Sequence, residues 1–274
     1  MKNKTNDKTI KVLFVAHCTS LYGANRSLLG LIEGLRAFGV ESAVACPKEN
    51  GLFVEELSKR EINYKILPIK YWMYPEKKGR LTRLLNNLSA GIKIAIWTLR
   101  EKFDIIYSNS SSTPAGAFAA ILSFKPHVWH IREYGQPDYN LKLDLGKKIF
   151  GFLLKRATAV ICISQDIKSN VLSGLKLKHC QVIHNGVFSQ DELKTIKATL
   201  KTYQPKKDFI FIIIGQINSN KNQSEAVTAF KLLMNKYPQT KLWIVGDYRT
   251  PTGATLKKAC DKKNYRDRII FFDF

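Results

Sequence analysis

Short apolar runs alternate with segments of helical period along most of this chain. The runs predict strands at Lys11–His17, Ser42–Cys46, Tyr64–Leu67, Ile105–Ser108, His127–Ile131, Ala159–Ile163 and Gln181–Ile183. Between them, apolar residues recurring at the ~3.6-residue helical spacing predict helices. These lie at Asn25–Phe38, Leu52–Lys59, Leu81–Leu99, Pro114–Ser123, Leu143–Lys155 and Gln165–Leu172. Strands apolar on both faces, joined by helices, imply an α/β fold with a parallel, doubly wound sheet. In such sheets ligands bind at the carboxyl ends of the strands.

The pattern breaks after Asn185-Gly186, so 1–188 reads as a first Rossmann-like domain. Residues 189–207 are polar and lysine-rich, contain Pro205, and read as a linker with room for a helix at Gln190–Leu200. A second α/β series follows over 208–274: strand Phe209–Ile214, helix Ser224–Tyr237, strand Lys241–Val245, helix Ala254–Asn264 and strand Ile269–Phe272. Three strands and two helices bury little core. The expectation is therefore a second domain cut short.

That second series opens with FIFIIIGQINSNKNQSEAVTAF, Phe209–Phe230. A strand, a glycine loop and a helix together offer backbone N–H groups and a helix N-terminus to a phosphate. Gly215, Asn220 and Lys221 have P-loop spacing, but Asn220 replaces the second glycine and Asn222 replaces the hydroxyl residue that would hold Mg²⁺. Asn220 tolerates positive φ, so the backbone shape could survive. An ordinary strand-to-helix loop with a solvated lysine fits the same residues.

Composition narrows the partners. The 274 residues include 44 basic and 22 acidic side chains, a formal charge of +22. So basic a chain expects nucleic acid, an anionic membrane or phosphorylated substrates. The basic residues are spread along the chain without a recognition helix or an RNP aromatic pattern, which disfavours nucleic acid. The five cysteines form no C-x-x-C pair and read as reduced thiols of a cytoplasmic protein. The polar first eight residues do not read as a signal peptide and no apolar run is long enough to span a bilayer, so any membrane contact is expected to be peripheral. Lys70–Leu85, KYWMYPEKKGRLTRLL, mixes aromatic and basic residues in the way an anionic lipid surface favours. The stripe Leu81, Leu84, Leu85, Leu88, Ile92, Ile96 and Leu99 reads as core packing on the sheet.

Several segments, in order, resemble the family-4 glycosyltransferases of GT-B fold. They are YGANRSLLGLIEGLRAFGVE, KFDIIYSNSSSTPAGAFAA, VWHIREYG, AVICISQDIKSNVL with VIHNGV, and FIFIIIGQINSNKNQSEAVTAFKLL with KLWIVGDY. The resemblance implies transfer of a sugar from a UDP- or GDP-linked donor, with retention, to a glycan or lipid-linked acceptor in envelope or capsular polysaccharide synthesis. No metal or cofactor is implied, since GT-B enzymes offset the leaving diphosphate with protein groups, and the chain has no Asp-x-Asp.

By this resemblance Lys221 contacts the donor diphosphate, with Gly215 opening the loop. Gln216 stands where many members carry an arginine, and an amide supplies neither its charge nor its fork. Gly23 matches the second glycine of a Gly-Gly loop near the phosphate, while Tyr22 occupies the first glycine position. His130 matches the histidine beside the donor sugar and is the candidate catalytic residue. Arg132, Glu133, Asn109 and Asn185 are placed along the cleft. His17 ends the first strand and fits either a structural or a functional role; His127, His179 and His184 read as structural. Asn109–Ser112 reads first as a helix cap, with lining of the cleft as a compatible alternative, and Ser164 reads as a helix cap. The family's Glu-x7-Glu motif lies downstream of RIIFFDF and is missing here, which opens the alternative of a non-catalytic homologue or partner subunit.

Overall fold

The computed structural model describes residues 9–74, 78–135, 141–201, 209–261 and 265–273. Lys77, the residues 202–207 of the expected linker and the last turn expected for the helix ending at Asn264 lie outside the described residues. The chain divides into two compact units, Met1–Ser189 and Gln190–Phe274.

The first unit carries a sheet whose strands are β1 (Lys11–Val15), β2 (Glu41–Cys46), β3 (Asn63–Ile66), β5 (Ile105–Ser108), β6 (His127–Ile131), β8 (Ala159–Cys162) and β9 (Cys180–Val182). They run parallel in the order β3-β2-β1-β5-β6-β8-β9. The order reverses between β1 and β5, and that is the topological switch point where doubly wound sheets open a crevice. The strands lie within a residue or two of their expected bounds. Two further strands, β4 (Met73–Tyr74) and β7 (Lys142–Leu143), pair antiparallel. Each is two residues long, too short to leave a periodic signal.

Among the described residues six helices cover this sheet: α1 (Gly23–Arg36), α2 (Leu52–Lys59), α3 (Arg80–Arg100), α4 (Ala115–Ser123), α5 (Gly146–Arg156) and α6 (Gln165–Val171). Alternation along the strands divides them between the two faces. Phe14, Val44 and Tyr107 pack with α1 and α2. Leu13, Val15 and Ile106 pack with α3 and α4. Trp129 and Val160 pack with α4, α5 and α6. Ladder register places Val15 opposite Ser108, and Ser108 opposite Trp129, so α3, α4 and α5 share one face. Ser164 caps α6 as expected, its Oγ accepting from Ile167 N at 3.1 Å.

The second unit contains α7 (Gln190–Lys201), then β10 (Phe209–Ile214), α8 (Gln223–Lys236), β11 (Thr240–Val245), α9 (Pro251–Cys260) and β12 (Ile269–Phe272). Its three strands are parallel, in the order β10-β11-β12. Val227, Phe230 and Met234 of α8 and Cys260 of α9 pack on Leu242, Ile244 and Ile269. Ile212 and Ile214 of β10 are exposed. They alternate with Ile213, which packs toward the helices. The carboxyl ends of β10 and β11 approach so closely that a Cβ on Gly246 would lie 2.2 Å from the Gly215 carbonyl oxygen. Among the described residues no helix is long and apolar enough to cross a membrane.

Candidate functional site

In the first unit the site grows from the carboxyl ends of β1, β5 and β6. After β1 the chain turns into α1, and the turn is held by Asn25, whose side-chain amide donates to the carbonyls of Cys18 (3.0 Å) and Ser20 (2.8 Å). Asn25 is buried although it begins a helix, an anomaly that sequence reasoning passed over. Tyr22, extended and exposed, precedes the first turn of α1. A Cβ on Gly23 would meet nothing within 4 Å. The chain itself therefore does not demand glycine there, and the helix N-terminus is left open.

Past β5 the segment Ser108–Thr113 is polar yet buried throughout. Such a loop must satisfy its own polar groups internally. Glu133 does most of this: one carboxylate oxygen accepts from Ser110 Oγ (2.6 Å), Ser111 N (2.6 Å) and Ser111 Oγ (2.7 Å). From beneath, the Trp129 indole donates to Ser110 O at 2.9 Å and the Trp72 indole to Ser111 O at 2.7 Å. The expected capping role is corrected here. The cap of α4 is Pro114, without a side-chain bond, because these serines turn toward Glu133 instead.

Arg132 lies on the opposite face of its strand extension from Glu133. It donates through Nε to Asn109 Oδ1 (2.9 Å), and through one terminal nitrogen to Asn185 Oδ1 (2.6 Å) and Ser27 Oγ (3.0 Å). Asn109 in turn donates to Ala24 O at 3.1 Å. Thus Arg132, Asn109 and Asn185, placed along one cleft from sequence, form one network, and Ser27 of α1 is the member that was missed.

His130 is buried beside them. Its Nδ1 meets the Tyr107 hydroxyl at 2.6 Å, and its Nε2 has no partner among the described residues. Burial, helped by the Arg132 charge, pulls its pKa down to about 3, so the ring is neutral. His127 is buried against Ser108 Oγ at 2.9 Å.

At the end of β1, His17 Nε2 lies 3.5 Å from Cys18 Sγ, which also meets Ser20 Oγ at 3.2 Å. Burial alone would push the thiol up; the hydrogen bond and charge of His17 outweigh it and bring Cys18 to about 7. Cys46, by contrast, is pushed up by burial to about 12. Alkylation of Cys18 by iodoacetamide is therefore expected to rise through pH ~7, against ~8.5 for an ordinary thiol, while Cys46 stays inert. Peptide mass spectrometry of alkylated samples reads both sites. A Cys18 inflection near that of a free thiol, unmoved by His17→Ala, would show that the pairing does not activate it.

Part of the basic-aromatic stretch is buried, and the aliphatic stripe beside it departs from its expected place. Trp72 is in the core, stacked on Trp129 at 6.4 Å and edge-on to Phe150. Arg83 forms a buried pair with Asp144 and covers the Tyr74 ring at 4.2 Å. The stripe of α3, expected in the core, faces outward: α3 buries Asn87, Ala90, Gly91, Ile94, Ala95, Trp97 and Thr98 instead. Small residues win because α3 and α4 approach closely, and a Cβ on Gly91 would lie 2.8 Å from the Phe118 Cβ.

In the second unit the loop after β10 carries the other candidates. Gly215 has φ 149°, which suits glycine. Gln216 is held through its backbone carbonyl, which accepts from the buried Gln223 side chain at 3.0 Å. A 3₁₀ turn, Ser219–Lys221, follows, and Asn218 Oδ1 accepts from Lys221 N at 3.1 Å. The left-handed residue is Asn222 (φ 55°), at the N-cap of α8, and not Asn220, which lies inside the turn. Lys221 is exposed one residue before that cap.

Comparison with known proteins agrees with this architecture. The profile described as Glycosyltransferase Family 4 matches residues 22–190, and that of Glycosyl transferases group 1 matches residues 197–274. The uncharacterized glycosyltransferase MJ1059 of Methanocaldococcus jannaschii is 32% identical over 122 residues, 43% of this chain and 29% of that protein. The capsular polysaccharide biosynthesis glycosyltransferase CapM of Staphylococcus aureus is 26% identical over 184 residues, 61% of this chain and 47% of CapM. The chain thus spans less than half the length of either curated relative. The crystal structure of Anabaena Alr3699/HepE in complex with UDP-glucose superposes with a TM-score of 0.68 at 20% identity, over 97% of this chain and 69% of that one. With a family profile covering more than half of its residues, the protein belongs to glycosyltransferase family 4.

Proposed function

We propose that the protein transfers a sugar from a nucleotide-diphosphate donor, UDP- or GDP-linked, to a glycan or lipid-linked acceptor in cell-envelope or capsular polysaccharide synthesis. The observation that carries this reading is the loop of the second unit: an exposed Lys221 next to the N-terminus of α8, at the carboxyl end of β10. Helix N-termini and a nearby cation suit the charge that grows on a departing diphosphate. The names of its relatives support the class of acceptor and donor: CapM acts in capsular polysaccharide biosynthesis, and HepE was crystallised with UDP-glucose.

In the first unit the same reading gives each group a task. The open N-terminus of α1 at Gly23 offers backbone N–H groups to an anion. His130 is the residue assigned beside the donor sugar; its Nε2 is buried and has no partner among the described residues. Arg132 holds Asn109 and Asn185 in place, and Glu133 holds the serine loop.

Calorimetric titration with UDP, GDP and their sugars tests the proposal. One nucleotide series is expected to bind, and Lys221→Ala to weaken it by about 10–100-fold, as for loss of one charge-assisted hydrogen bond. Absence of heat with every nucleotide would sink the donor-site reading and favour a non-catalytic homologue. Binding unchanged in the variant would remove Lys221 from the site.

A further inference from the structure

β5 and β6 set two polar rings side by side. Ladder register places Tyr107 opposite Val128, and His130 follows two positions later, so both side chains stand on the sheet face that packs with α1 and α2. The Tyr107 ring lies against Phe14 at 5.0 Å and meets His130 edge-on at 5.9 Å. Both residues are buried. The Tyr107 hydroxyl and His130 Nδ1 are 2.6 Å apart. Among the described residues that hydroxyl has no other hydrogen-bond partner, and His130 Nε2 has none.

Which atom donates follows from the groups left unmet. Burial, against the Arg132 charge, pushes the phenol up to about 12, so the hydroxyl keeps its proton. Burial and the Arg132 charge both oppose an imidazolium at His130, so the ring carries one proton. Were that proton on Nδ1, the ring would donate to the phenol oxygen. Two buried groups would then be stranded, the phenol O–H and the lone pair of Nε2. With the proton on Nε2, the phenol donates to Nδ1 and only Nε2–H is stranded. Each buried polar group without a partner costs free energy, so the second arrangement wins.

We propose that Tyr107 is a positioning residue for His130: its hydroxyl donates to Nδ1 and locks the ring in the Nε2–H tautomer, so that whatever meets Nε2 must accept a hydrogen bond. The inference rests on the reading that sets His130 beside the donor sugar. On that reading the acceptor is a sugar oxygen, and His130 acts as a donor and not as a base. The stranded Nε2–H then gains the acceptor that the described residues do not supply.

Nitrogen NMR of the full chain, labelled with ring-15N histidine, reads the tautomer directly, because protonated and unprotonated ring nitrogens resonate far apart. The chain has five histidines, and His130→Gln identifies the pair of signals that belongs to His130. Near neutral pH the native Nδ1 is expected in the unprotonated range and Nε2 in the protonated range. Tyr107→Phe keeps the ring beside Phe14 and removes only the hydroxyl. In that variant, with its circular dichroism spectrum unchanged, the two signals are expected to move toward each other as the tautomers mix. Calorimetry is expected to show a UDP- or GDP-linked sugar binding the variant about tenfold more weakly, as for one hydrogen bond, with the free nucleotide diphosphate changed less than about twofold. A native His130 with its proton on Nδ1, or on both nitrogens, would overturn the proposal whether or not the variant folds. Signals that Tyr107→Phe leaves in place would overturn it too, as would native binding of a nucleotide sugar that the variant does not weaken. The expected tautomer in a native chain that gives no heat with any nucleotide sugar would leave the Tyr107 lock standing and sink the transferase reading instead.

Discussion

Trp129→Ala is expected to destabilise the first unit by about 3–5 kcal/mol, the range for emptying a large buried aromatic site. The side chain is fully buried, stacks on Trp72, and meets Phe150 edge-on at 5.6 Å. Its indole N–H also holds the Ser110 carbonyl. Trp129→Phe separates the two contributions. It keeps most of the ring contacts and strips one donor from a buried carbonyl, a loss of about 1–3 kcal/mol. In urea denaturation followed by circular dichroism, the alanine variant should unfold at much lower denaturant than the phenylalanine variant. Equal midpoints would mean that the indole hydrogen bond carries the effect and the cavity does not.

Arg132→Ala is expected to have the second largest effect, about 3 kcal/mol: three hydrogen bonds to a charged donor are lost, at about 1.5–3 kcal/mol each, offset in large part by relaxation and rehydration of the freed acceptors. The guanidinium reaches Asn109, Asn185 and Ser27 at once, from three separate elements. Its loss leaves the amide oxygens of Asn109 and Asn185 without that donor. Arg132→Lys should recover only part of the loss, because an ammonium cannot reproduce a planar fork. The predicted signature is a Tm lowered on the order of 10 °C in the alanine variant and, under the proposed function, transfer activity that falls even at temperatures where the fold persists. An alanine variant with native Tm and native activity would show that the network does not organise the site.

Much of this molecule was legible before any coordinates. The strands Ile105–Ser108, His127–Ile131, Phe209–Ile214 and Ile269–Phe272 lie where the apolar runs predict them. Local alternation and local caps are written in adjacent residues, so a strand like FIFIII or a cap like Ser164 needs no distant partner to be recognised. The expectation that ligands bind at the carboxyl ends of the strands follows from the βαβ order alone.

What stayed hidden depends on contacts far apart in the chain. Ser27 joins Arg132 across 105 positions, and Glu133 reaches Ser110 and Ser111 across 23 and 22. No spacing rule couples such residues. Periodicity established that α3 is amphipathic but not which side it buries, since both a run of leucines and a run of small residues can meet a neighbour. The close approach to Phe118 at Gly91 settled it in favour of the small side. Trp72 was taken for a membrane aromatic because its neighbours are basic, yet the sheet packs it between Trp129 and Phe150. The amino-acid sequence by itself determined the parallel α/β architecture, the two series of strands and the glycine loop with its lysine, because period, glycine and charge act locally. Only the tertiary structure decided which polar groups share a network, which histidine is held neutral and which apolar face meets the outside, because burial and packing are properties of the assembled fold.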